Sequence, residues 1–275
     1  MRHVLTIAGT DPTTGAGAQA DLKTIGTLGA YGFSVITAVV SQNTQGVRAI
    51  HQIPAFHVRE QLDAIDADCR VDAVKIGMLG TPQVARAVSL WLTEHSGDFP
   101  VVLDPVLVAT SGHRLARNGV LEALRGLLAH ADIVTPNIPE LAALCAKDPA
   151  VTFADACAQG QKLAATYGTS VVVKGGHLTD TCLDDGHVRD ALIPRDAPVH
   201  VLSSPRLKTK NTHGTGCALA TALATYLAQS SDLDTVAAFG AARQWLQRAI
   251  RHADDLAIGR GHGPINHFVA PAVPD

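Results

Sequence analysis

Short runs of β-branched residues alternate with alanine-rich amphipathic segments along nearly the whole chain. The runs are apolar on every side, which predicts buried strands, and the segments between them repeat their apolar positions with the period of a helix. Strands are predicted at residues 4–8, 34–40, 73–76, 101–103, 133–134 and 171–173. Helices are predicted at residues 17–28, 55–67, 83–95, 119–130, 153–167, 217–229 and 233–253.

Buried strands that alternate with helices indicate βαβ crossovers and a mainly parallel sheet covered by helices on both faces. Residues 179–210 depart from this pattern, because segments 187–193 and 199–202 alternate around a proline-bounded turn and predict an added antiparallel hairpin. No repeat or linker interrupts the chain, so residues 1–275 are predicted to form a single α/β domain. Ligands of such sheets bind beyond the carboxyl ends of the strands.

The composition excludes several classes of protein. With 47% hydrophobic and 17% charged residues, the 275-residue chain can bury a substantial core and does not resemble a disordered one. A net charge of -3 and scattered basic residues give no general attraction to nucleic acid. The N-terminal apolar stretch is too short for a signal peptide, and no apolar run approaches the ~20 residues that span a bilayer. We therefore expect a cytoplasmic protein that binds neither nucleic acid nor membranes.

The five cysteines are odd in number, widely spaced and without a CxxC pair. This pattern argues against a disulfide framework and a zinc cluster, and the thirteen histidines contain no HExxH motif. If a metal takes part in the chemistry, the sequence favours a hard ion held by carboxylates and phosphates. The cysteines are Cys69, Cys145, Cys157, Cys182 and Cys217.

The sharpest local feature is a glycine-rich turn, NTHGTGC at residues 211–217, that runs directly into a predicted helix. Glycines allow a tight turn whose backbone N–H groups point one way, and the helix adds the positive end of its dipole, so the turn is suited to bind a phosphate. An ordinary glycine-rich helix start explains this motif alone equally well. Cys217 lies where the dipole would lower the pKa of a thiol, although a lone cysteine is more commonly a small buried hydrophobe.

Polar side chains stand at the carboxyl ends of three predicted strands. Asp104 follows the strand at 101–103, Asn137 and Glu140 follow the strand at 133–134, and Lys174 follows the strand at 171–173. Each carboxylate taken singly fits a helix cap or a turn. At one sheet edge, however, a cation, carboxylates suited to Mg²⁺ and an anion-binding turn are the groups that phosphoryl transfer requires.

A second glycine-rich turn, GTDPTTGAG at residues 9–17, follows the first predicted strand and admits the loose form of the dinucleotide-binding fingerprint. A nicotinamide-dependent oxidoreductase would then need a ribose-binding carboxylate ~20 residues further on, at the end of the second strand. The chain has Ser41, Gln42 and Asn43 there, so this prediction fails. The GxxxxGK[ST] motif of P-loop kinases is also absent.

In their order and spacing, these motifs resemble those of the hydroxymethylpyrimidine/phosphomethylpyrimidine kinases of thiamine biosynthesis, a family of the ribokinase superfamily. The similarity extends over essentially the whole chain. It rests on the segments AGTDPTTGAGAQADLKT, GAYGFSVITAVVSQNTQGV, VKIGMLG, VVLDPVLVATSG, VTPNIPE, VVVKGGH, NTHGTGCALATALA and GRGHGPINHF.

The resemblance implies a ribokinase-like three-layer αβα sandwich that usually forms a homodimer. ATP would lie along one edge as co-substrate, with Mg²⁺ between its phosphates. The implied reaction is phosphorylation of the hydroxymethyl group of hydroxymethylpyrimidine and then of its monophosphate.

The same resemblance assigns site residues on the nucleotide side. Gly214, Thr215 and Gly216 would form the anion hole around the γ-phosphate. Cys217 stands where sugar kinases have an aspartate base, and whether it acts as a base or as part of the anion hole stays open. Nucleotide contacts fall to Lys174, Asn137 and Thr212, and positions around Mg²⁺ to Asp104 and Glu140.

On the substrate side, the resemblance assigns Asp21 and Gln42 to the pyrimidine and its hydroxymethyl group. Gln42 can both donate and accept hydrogen bonds, as a ring nitrogen beside an amino group requires. Gly9, Met78 and Val106 would line the pocket, although a core role fits Met78 about equally well.

Two departures from the family pattern concern loops. Thr110 stands where close relatives often have lysine, and Thr13 and Thr14 replace the Ser-Gly or Gly-Gly usual before GAG, which is expected to stiffen that loop. Two other hypotheses remain beside the leading one. A pyridoxal or pyridoxine kinase would act on a similar substituted heterocycle, and a non-catalytic nucleotide sensor would not need both Lys174 and Cys217.

Overall fold

The computed structural model describes residues 1–107, 119–178, 186–230, 232 and 234–271, and the structural statements below concern these residues. Eight strands form one sheet in the order β10-β9-β8-β7-β6-β5-β1-β2, and β3 and β4 form a separate two-stranded sheet. The strands are β1 (His3–Ala8), β2 (Tyr31–Ile36), β3 (Ala38–Asn43), β4 (Gly46–Gln52), β5 (Ala73–Ile76), β6 (Val101–Leu103), β7 (Ile133–Val134), β8 (Ser170–Lys174), β9 (His187–Ile193) and β10 (His200–Pro205).

The central strands are parallel and buried on both faces. Neighbouring strands from β2 through β1, β5, β6 and β7 to β8 pair in parallel, and at one edge β9 pairs antiparallel with both β8 and β10. Strands β5, β6 and β7 contain no exposed residue, which explains why their sequences are apolar apart from the buried Lys75. The mainly parallel sheet and the added hairpin were both predicted from the sequence and are confirmed.

Helices cover both faces of the sheet. The helices are α1 (Gly17–Thr27), α2 (Ala55–Asp66), α3 (Pro82–Glu94), α4 (Val120–Leu128), α5 (Ile138–Cys145), α6 (Phe153–Tyr167), α7 (Thr215–Gln229) and α8 (Thr235–Arg251). Helices α2 to α6 pack on one face around Trp91, and α1, α7 and α8 pack on the other around Trp245. Alternate residues of each strand enter the two cores, as Val101 and Val102 of β6 show, and the three-layer αβα sandwich is confirmed.

The predicted strand at 34–40 is wrong, because the chain divides there into β2 and β3. Thr37 lies between them with its N–H donating to Ala8 O and its hydroxyl donating to Met78 O. These contacts hold the chain as it leaves the large sheet, and β3 then pairs antiparallel with β4 across the ends of the central strands. Strand β4 and helix α5 were not predicted.

Four described cysteines, Cys69, Cys145, Cys157 and Cys217, are free thiols. Cys182 and Thr110 lie outside the described residues. Within the described part of the chain, every helix is too short or too polar to cross a membrane.

Candidate active site

The predicted site residues after β6, β7 and β8 come together at one edge of the sheet. Asp104 follows β6, Asn137 caps the helix that follows β7, and Lys174 ends β8. A parallel bridge joins Asn137 to Lys174. Because parallel strands present their carboxyl ends together, three segments distant in sequence place their polar side chains within a few ångströms.

Lys174 forms the centre of this cluster. Its Nζ donates to Asp104 Oδ1 at 2.9 Å and lies 3.9 Å from Glu140 Oε2. Thr135 Oγ1 donates to the same Asp104 oxygen at 3.1 Å. Burial acts to lower the pKa of Lys174, but the charges of Asp104 and Glu140 outweigh it and raise that pKa, so the lysine stays cationic.

Glu140 and Asn137 are held by a capping box at the start of α5. Glu140 N–H donates to Asn137 Oδ1 and Asn137 N–H donates to Glu140 Oε2, each at 2.9 Å. Burial, opposed by Lys174 and reinforced by Asp104, raises the pKa of the Glu140 carboxyl to about 7. The motif that starts the helix therefore also fixes a carboxyl group that titrates near neutral pH beside the lysine.

The glycine-rich turn ends in an uncapped helix. Gly214 precedes α7 with φ 82°, a left-handed conformation that favours glycine, and a Cβ there would lie 1.8 Å from Gly15 O. Thr215 N–H donates to Thr212 O at 3.3 Å, and no side chain caps α7. A Cβ on Gly216 would lie 3.1 Å from Lys174 Nζ. The first turn of α7 thus brings unsatisfied N–H groups beside the lysine, as an anion site requires.

Cys217 lies in the first turn of α7, where it was predicted. The expectation that the helix dipole lowers the pKa of its thiol is wrong, because burial, together with the charges of Asp104 and Asp21, raises that pKa to about 11. Lys75 and the backbone N–H of Gly17 act in the opposite direction but are outweighed. At neutral pH the side chain is therefore a protonated thiol.

A small apolar cluster lies beneath the β3–β4 hairpin and contains the predicted pocket residues. Met78 and Val40 are buried there, Val106 packs against them, and Met78 Sδ lies 3.3 Å from where a Cβ on Gly9 would stand. Gln42 is partly exposed at a bulge of β3, and its side-chain amide has no hydrogen-bond partner within the described residues. The structure thus brings Gly9, Met78 and Val106 together at one apolar cluster, whereas Gln42 lies nearer the turn of the hairpin.

Asp21 lies apart from these residues, because it is fully buried between the sheet and the helices. Its Oδ2 accepts hydrogen bonds from Lys75 Nζ at 2.7 Å and from Thr6 Oγ1 at 2.6 Å, and its Oδ1 accepts from Thr221 Oγ1 at 2.7 Å. Lys75 is also fully buried, and the charge of Asp21 raises its pKa despite burial. Asp21 therefore has no exposed surface to offer a ligand in this conformation.

Sequence analysis missed three charged or titratable residues beside the site: Lys75, Asp11 and His213. Lys75 interrupts the apolar strand β5, and a lysine in such a run is a sequence feature that indicates a buried acidic partner. Asp11 and His213 lie inside the two glycine-rich motifs, which were interpreted from their glycines alone. Their side chains meet at 2.8 Å across the site.

The three-layer sandwich is ribokinase-like in fold, and a lysine, two carboxylates and an uncapped helix at the carboxyl ends of its strands are the groups expected of a phosphoryl-transfer site. The family model described as phosphomethylpyrimidine kinase matches residues 11–266. The chain belongs to this family, and the resemblance found in the sequence is confirmed.

Two curated relatives illustrate the match. The chain is 45% identical over 270 residues to the hydroxymethylpyrimidine/phosphomethylpyrimidine kinase of Salmonella typhimurium, covering 98% of each. It is 49% identical over 265 residues to the thiamine biosynthesis multifunctional protein ThiED of Corynebacterium glutamicum, covering 96% of this chain but only 34% of that protein. The chain thus spans about a third of the length of this longer relative.

Solved structures agree on the fold. The pyridoxal kinase of Bacillus subtilis in its ADP complex has a TM-score of 0.84 at 30% identity, with 97% of each chain covered. The phosphomethylpyrimidine kinase of Clostridium difficile has a TM-score of 0.76 at 32% identity, with 91% of this chain and all of that chain covered.

Proposed function

We propose that this protein is an ATP-dependent kinase that phosphorylates the hydroxymethyl group of hydroxymethylpyrimidine and then its monophosphate to the pyrophosphate, in thiamine biosynthesis. The observation that carries the proposal is the contact of Lys174 with Asp104, directly beneath the uncapped first turn of α7. The full-length similarity to a kinase of that name supports the choice of substrate.

The nucleotide side of the site supplies positive charge to the phosphates. The N–H groups of Gly216 and Cys217 and the Nζ of Lys174 would donate hydrogen bonds to the γ-phosphoryl oxygens. Thr212 and Asn137 lie beside these donors. These donors are in place before substrate binds, so they stabilise the transferring group with little reorganisation.

The two carboxylates, Asp104 and Glu140, fit Mg²⁺. Mg²⁺ in kinase sites is typically held by one or two carboxylates together with substrate phosphates and water, and these side chains offer hard oxygen donors beside the anion site. When bound there, the ion would neutralise negative charge on the phosphates of ATP. Lys174 holds Asp104 in place for this role.

The substrate side would orient a primary alcohol toward the γ-phosphorus. Gln42 would bind the polar edge of the pyrimidine, and Gly9, Met78 and Val106 would contact its ring. A loose transition state keeps the alcohol proton in place until the new P–O bond forms, so a strong base is not required. We assign the protonated Cys217 thiol to the anion hole rather than to the base role.

Incubation of the purified protein with Mg-ATP and hydroxymethylpyrimidine tests this function directly. We expect ADP release in a coupled assay and formation of the monophosphate, then the diphosphate, by mass spectrometry. The proposal is wrong if ADP is not released above the rate without acceptor.

A pyridoxal kinase is the second candidate, because pyridoxal kinases have TM-scores of 0.84 to this chain. Their 29–30% identity lies below the 45% shared with the Salmonella enzyme, so this candidate has less support. Measuring kcat/KM for pyridoxal and hydroxymethylpyrimidine on one preparation decides between them.

We also propose a cytoplasmic homodimer, as the resemblance implies. Light scattering at micromolar concentration tests the dimer, and fractionation of the source cells tests the location.

Cys217→Ala is expected to lower kcat by about 10²-fold while the Kd for ATP changes little, because one anion-hole contact is lost. Cys217→Ser is expected to lose only about tenfold, since a hydroxyl still donates a hydrogen bond. Steady-state kinetics and titration with an ATP analogue measure both effects. An unchanged kcat in Cys217→Ala would remove the residue from the chemistry, and a serine variant as slow as the alanine variant would favour the base role.

The activity is expected to fall as the pH drops below about 7 when Mg²⁺ is limiting. The pKa of Glu140 is raised to about 7, so the fraction of protonated Glu140 increases below that pH. The protonated carboxyl group neither binds a cation nor neutralises Lys174. Saturating Mg²⁺ should shift this limb to lower pH, because a cation favours the carboxylate. Glu140→Gln should have lower activity, and its pH–activity profile should not fall near pH 7. A fall near pH 7 that persists in this variant would assign the titration to another group.

A further inference from the structure

The loop after β1 is organised around one buried carboxylate. Asp11 is fully buried and accepts five hydrogen bonds, from Thr13 N, Thr13 Oγ1, Gly15 N, Ala16 N and His213 Nε2. Burial acts to raise the pKa of Asp11, but the hydrogen bonds from His213 and Thr13 outweigh it and hold the pKa far below its usual range. An ionised carboxylate can only accept, so Nε2 of His213 carries the hydrogen.

We call residues 11–16 the acceptor loop, because they lead from the predicted pyrimidine pocket into α1. Thr10, just before this loop, donates its N–H to Ala38 O and accepts the N–H of Val40 at its hydroxyl, so the chain here is bonded to β3. Strand β3 also carries Gln42, the residue proposed to read the pyrimidine edge. A shift of the acceptor loop would therefore displace β3 through these two hydrogen bonds of Thr10.

We call residues 211–216 the anion loop, and His213 holds it from two sides. The backbone of His213 is fixed by the C-terminal segment, with its N–H donating to Gly263 O at 3.0 Å, and its ring is fixed by Asp11 at 2.8 Å. The next residue, Gly214, contacts Gly15 O so closely that a Cβ there would overlap it. The two loops thus share one side-chain contact and one backbone contact.

The acceptor loop also contains strained backbone. Thr14 has φ 59°, a left-handed conformation that is unfavourable for a β-branched residue, and its hydroxyl accepts a hydrogen bond from Lys23 Nζ at 3.1 Å. Strain of this kind persists where surrounding contacts determine the conformation, and it is commonest at functional sites. Here the contacts that determine it are those of Asp11 and Lys23.

We propose that Asp11 is a positioning residue that couples the acceptor loop to the anion loop through His213, so that a nucleotide phosphate at one loop strengthens acceptor binding at the other. The proposal rests on the proposed function. Phosphate binding at the first turn of α7 fixes His213 through the backbone. His213 then restrains the Asp11 carboxylate, and the carboxylate restrains Thr13, Gly15 and Ala16 through its hydrogen bonds. The coupling is reciprocal, because it is a free energy between two sites.

Titration calorimetry measures the coupling as the ratio of the Kd for hydroxymethylpyrimidine without and with a saturating non-hydrolysable ATP analogue and Mg²⁺. We expect a tightening of about tenfold in the unsubstituted protein. Asp11→Asn has one acceptor oxygen instead of two, so its NH2 group must face donors at one of the two carboxylate positions, and it is expected to reduce the ratio to about one. His213→Leu should do the same, whereas His213→Gln, which keeps an N–H donor, should retain the ratio within about twofold.

Asp132→Asn is the control, because Asp132 is an exposed residue at the opposite ends of the strands whose carboxylate likewise accepts a backbone hydrogen bond, from Val101 N–H at 2.8 Å. It should leave the coupling unchanged. If Asp11 has a purely structural role, Asp11→Asn should have a lower thermal midpoint and an unchanged ratio, and this result would overturn the proposal. A ratio of one in unsubstituted protein that binds hydroxymethylpyrimidine would also overturn it.

A second measurement does not depend on the identity of the acceptor. The ATP analogue with Mg²⁺ should slow amide hydrogen exchange at Gly15 and Ala16 several-fold in the unsubstituted protein and in His213→Gln, but not in His213→Leu. Equal protection in His213→Leu would overturn the coupling. If protection follows this pattern while hydroxymethylpyrimidine fails to bind, the coupling stands and the proposed substrate is wrong.

Discussion

Replacing Lys174 with methionine is expected to lower kcat by roughly 10³-fold or more, the largest catalytic effect of any single change at this site. Methionine has nearly the length of lysine but no charge, so the transferring phosphoryl group would lose its nearest side-chain cation. Asp104 and Glu140 would also lose the ammonium group that lies 2.9 Å and 3.9 Å from their oxygens. The pKa of Glu140 should then rise further, because Lys174 is the largest of the influences that lower it.

Steady-state and single-turnover kinetics with saturating Mg-ATP measure this effect, and the KM for the acceptor should change by less than about fivefold. Lys174→Arg tests geometry, because a Cβ on Gly216 would already lie 3.1 Å from Nζ and a guanidinium group has little room there. We expect the arginine variant to recover less than about a tenth of the activity. A kcat for Lys174→Met within tenfold of the unsubstituted value would show that the amide groups of α7 suffice for transfer.

The sequence predicted the central strands well because their physical signal is local. Strands β5, β6 and β7 begin and end where the predicted apolar runs do, since burial on both faces disfavours polar residues, and the lysine in β5 is buried against Asp21. The break between β2 and β3 has no such signal. It depends on Thr37 bonding to Ala8 and Met78, two partners that only the folded chain brings near.

Helix α5 and strand β4 were missed for different reasons. Helix α5 has eight residues and contains Pro139, so its periodic pattern is short, but its capping box from Asn137 to Glu140 was present in the sequence and could have located it. Strand β4 has no fully buried residue and, among the described strands, pairs with β3 alone, so its apolar alternation is weaker than that of a strand in a large core.

The site could be predicted as a set of strand ends but not as a set of contacts. Topology brings Asp104 and Lys174 to one edge, which the alternation of strands and helices already implies. The pairing of Asp11 with His213 joins positions 202 residues apart, and nothing local to either motif indicates the other. The resemblance assigned Asp21 to the substrate, whereas the structure encloses it with Lys75, because burial is a property of the assembled layers.

Lys75→Met is expected to lower the free energy of unfolding by about 3–5 kcal/mol, because it leaves Asp21 as a buried charge without a cation. Thr6 and Thr221 would still donate to the carboxylate, but hydroxyl groups do not neutralise it. Asp21→Asn should cost a similar amount by leaving Lys75 unpaired. Urea unfolding at neutral pH measures both, and a loss below about 1 kcal/mol in Lys75→Met would contradict a buried ion pair.

The double variant Lys75→Met, Asp21→Asn separates stability from substrate binding. It contains no buried charge at this place, so its stability should exceed that of either single variant, with most of the lost free energy recovered. If Asp21 acts only by holding Lys75 and Thr221 of α7, the double variant should bind hydroxymethylpyrimidine within about threefold of the unsubstituted protein. If Asp21 contacts the pyrimidine directly, as the family resemblance implies, binding should stay weak although the fold is restored. The first outcome would show that Lys75 and Asp21 form a structural ion pair that supports the site near Cys217. The second outcome would require Asp21 to leave its present contacts when substrate binds.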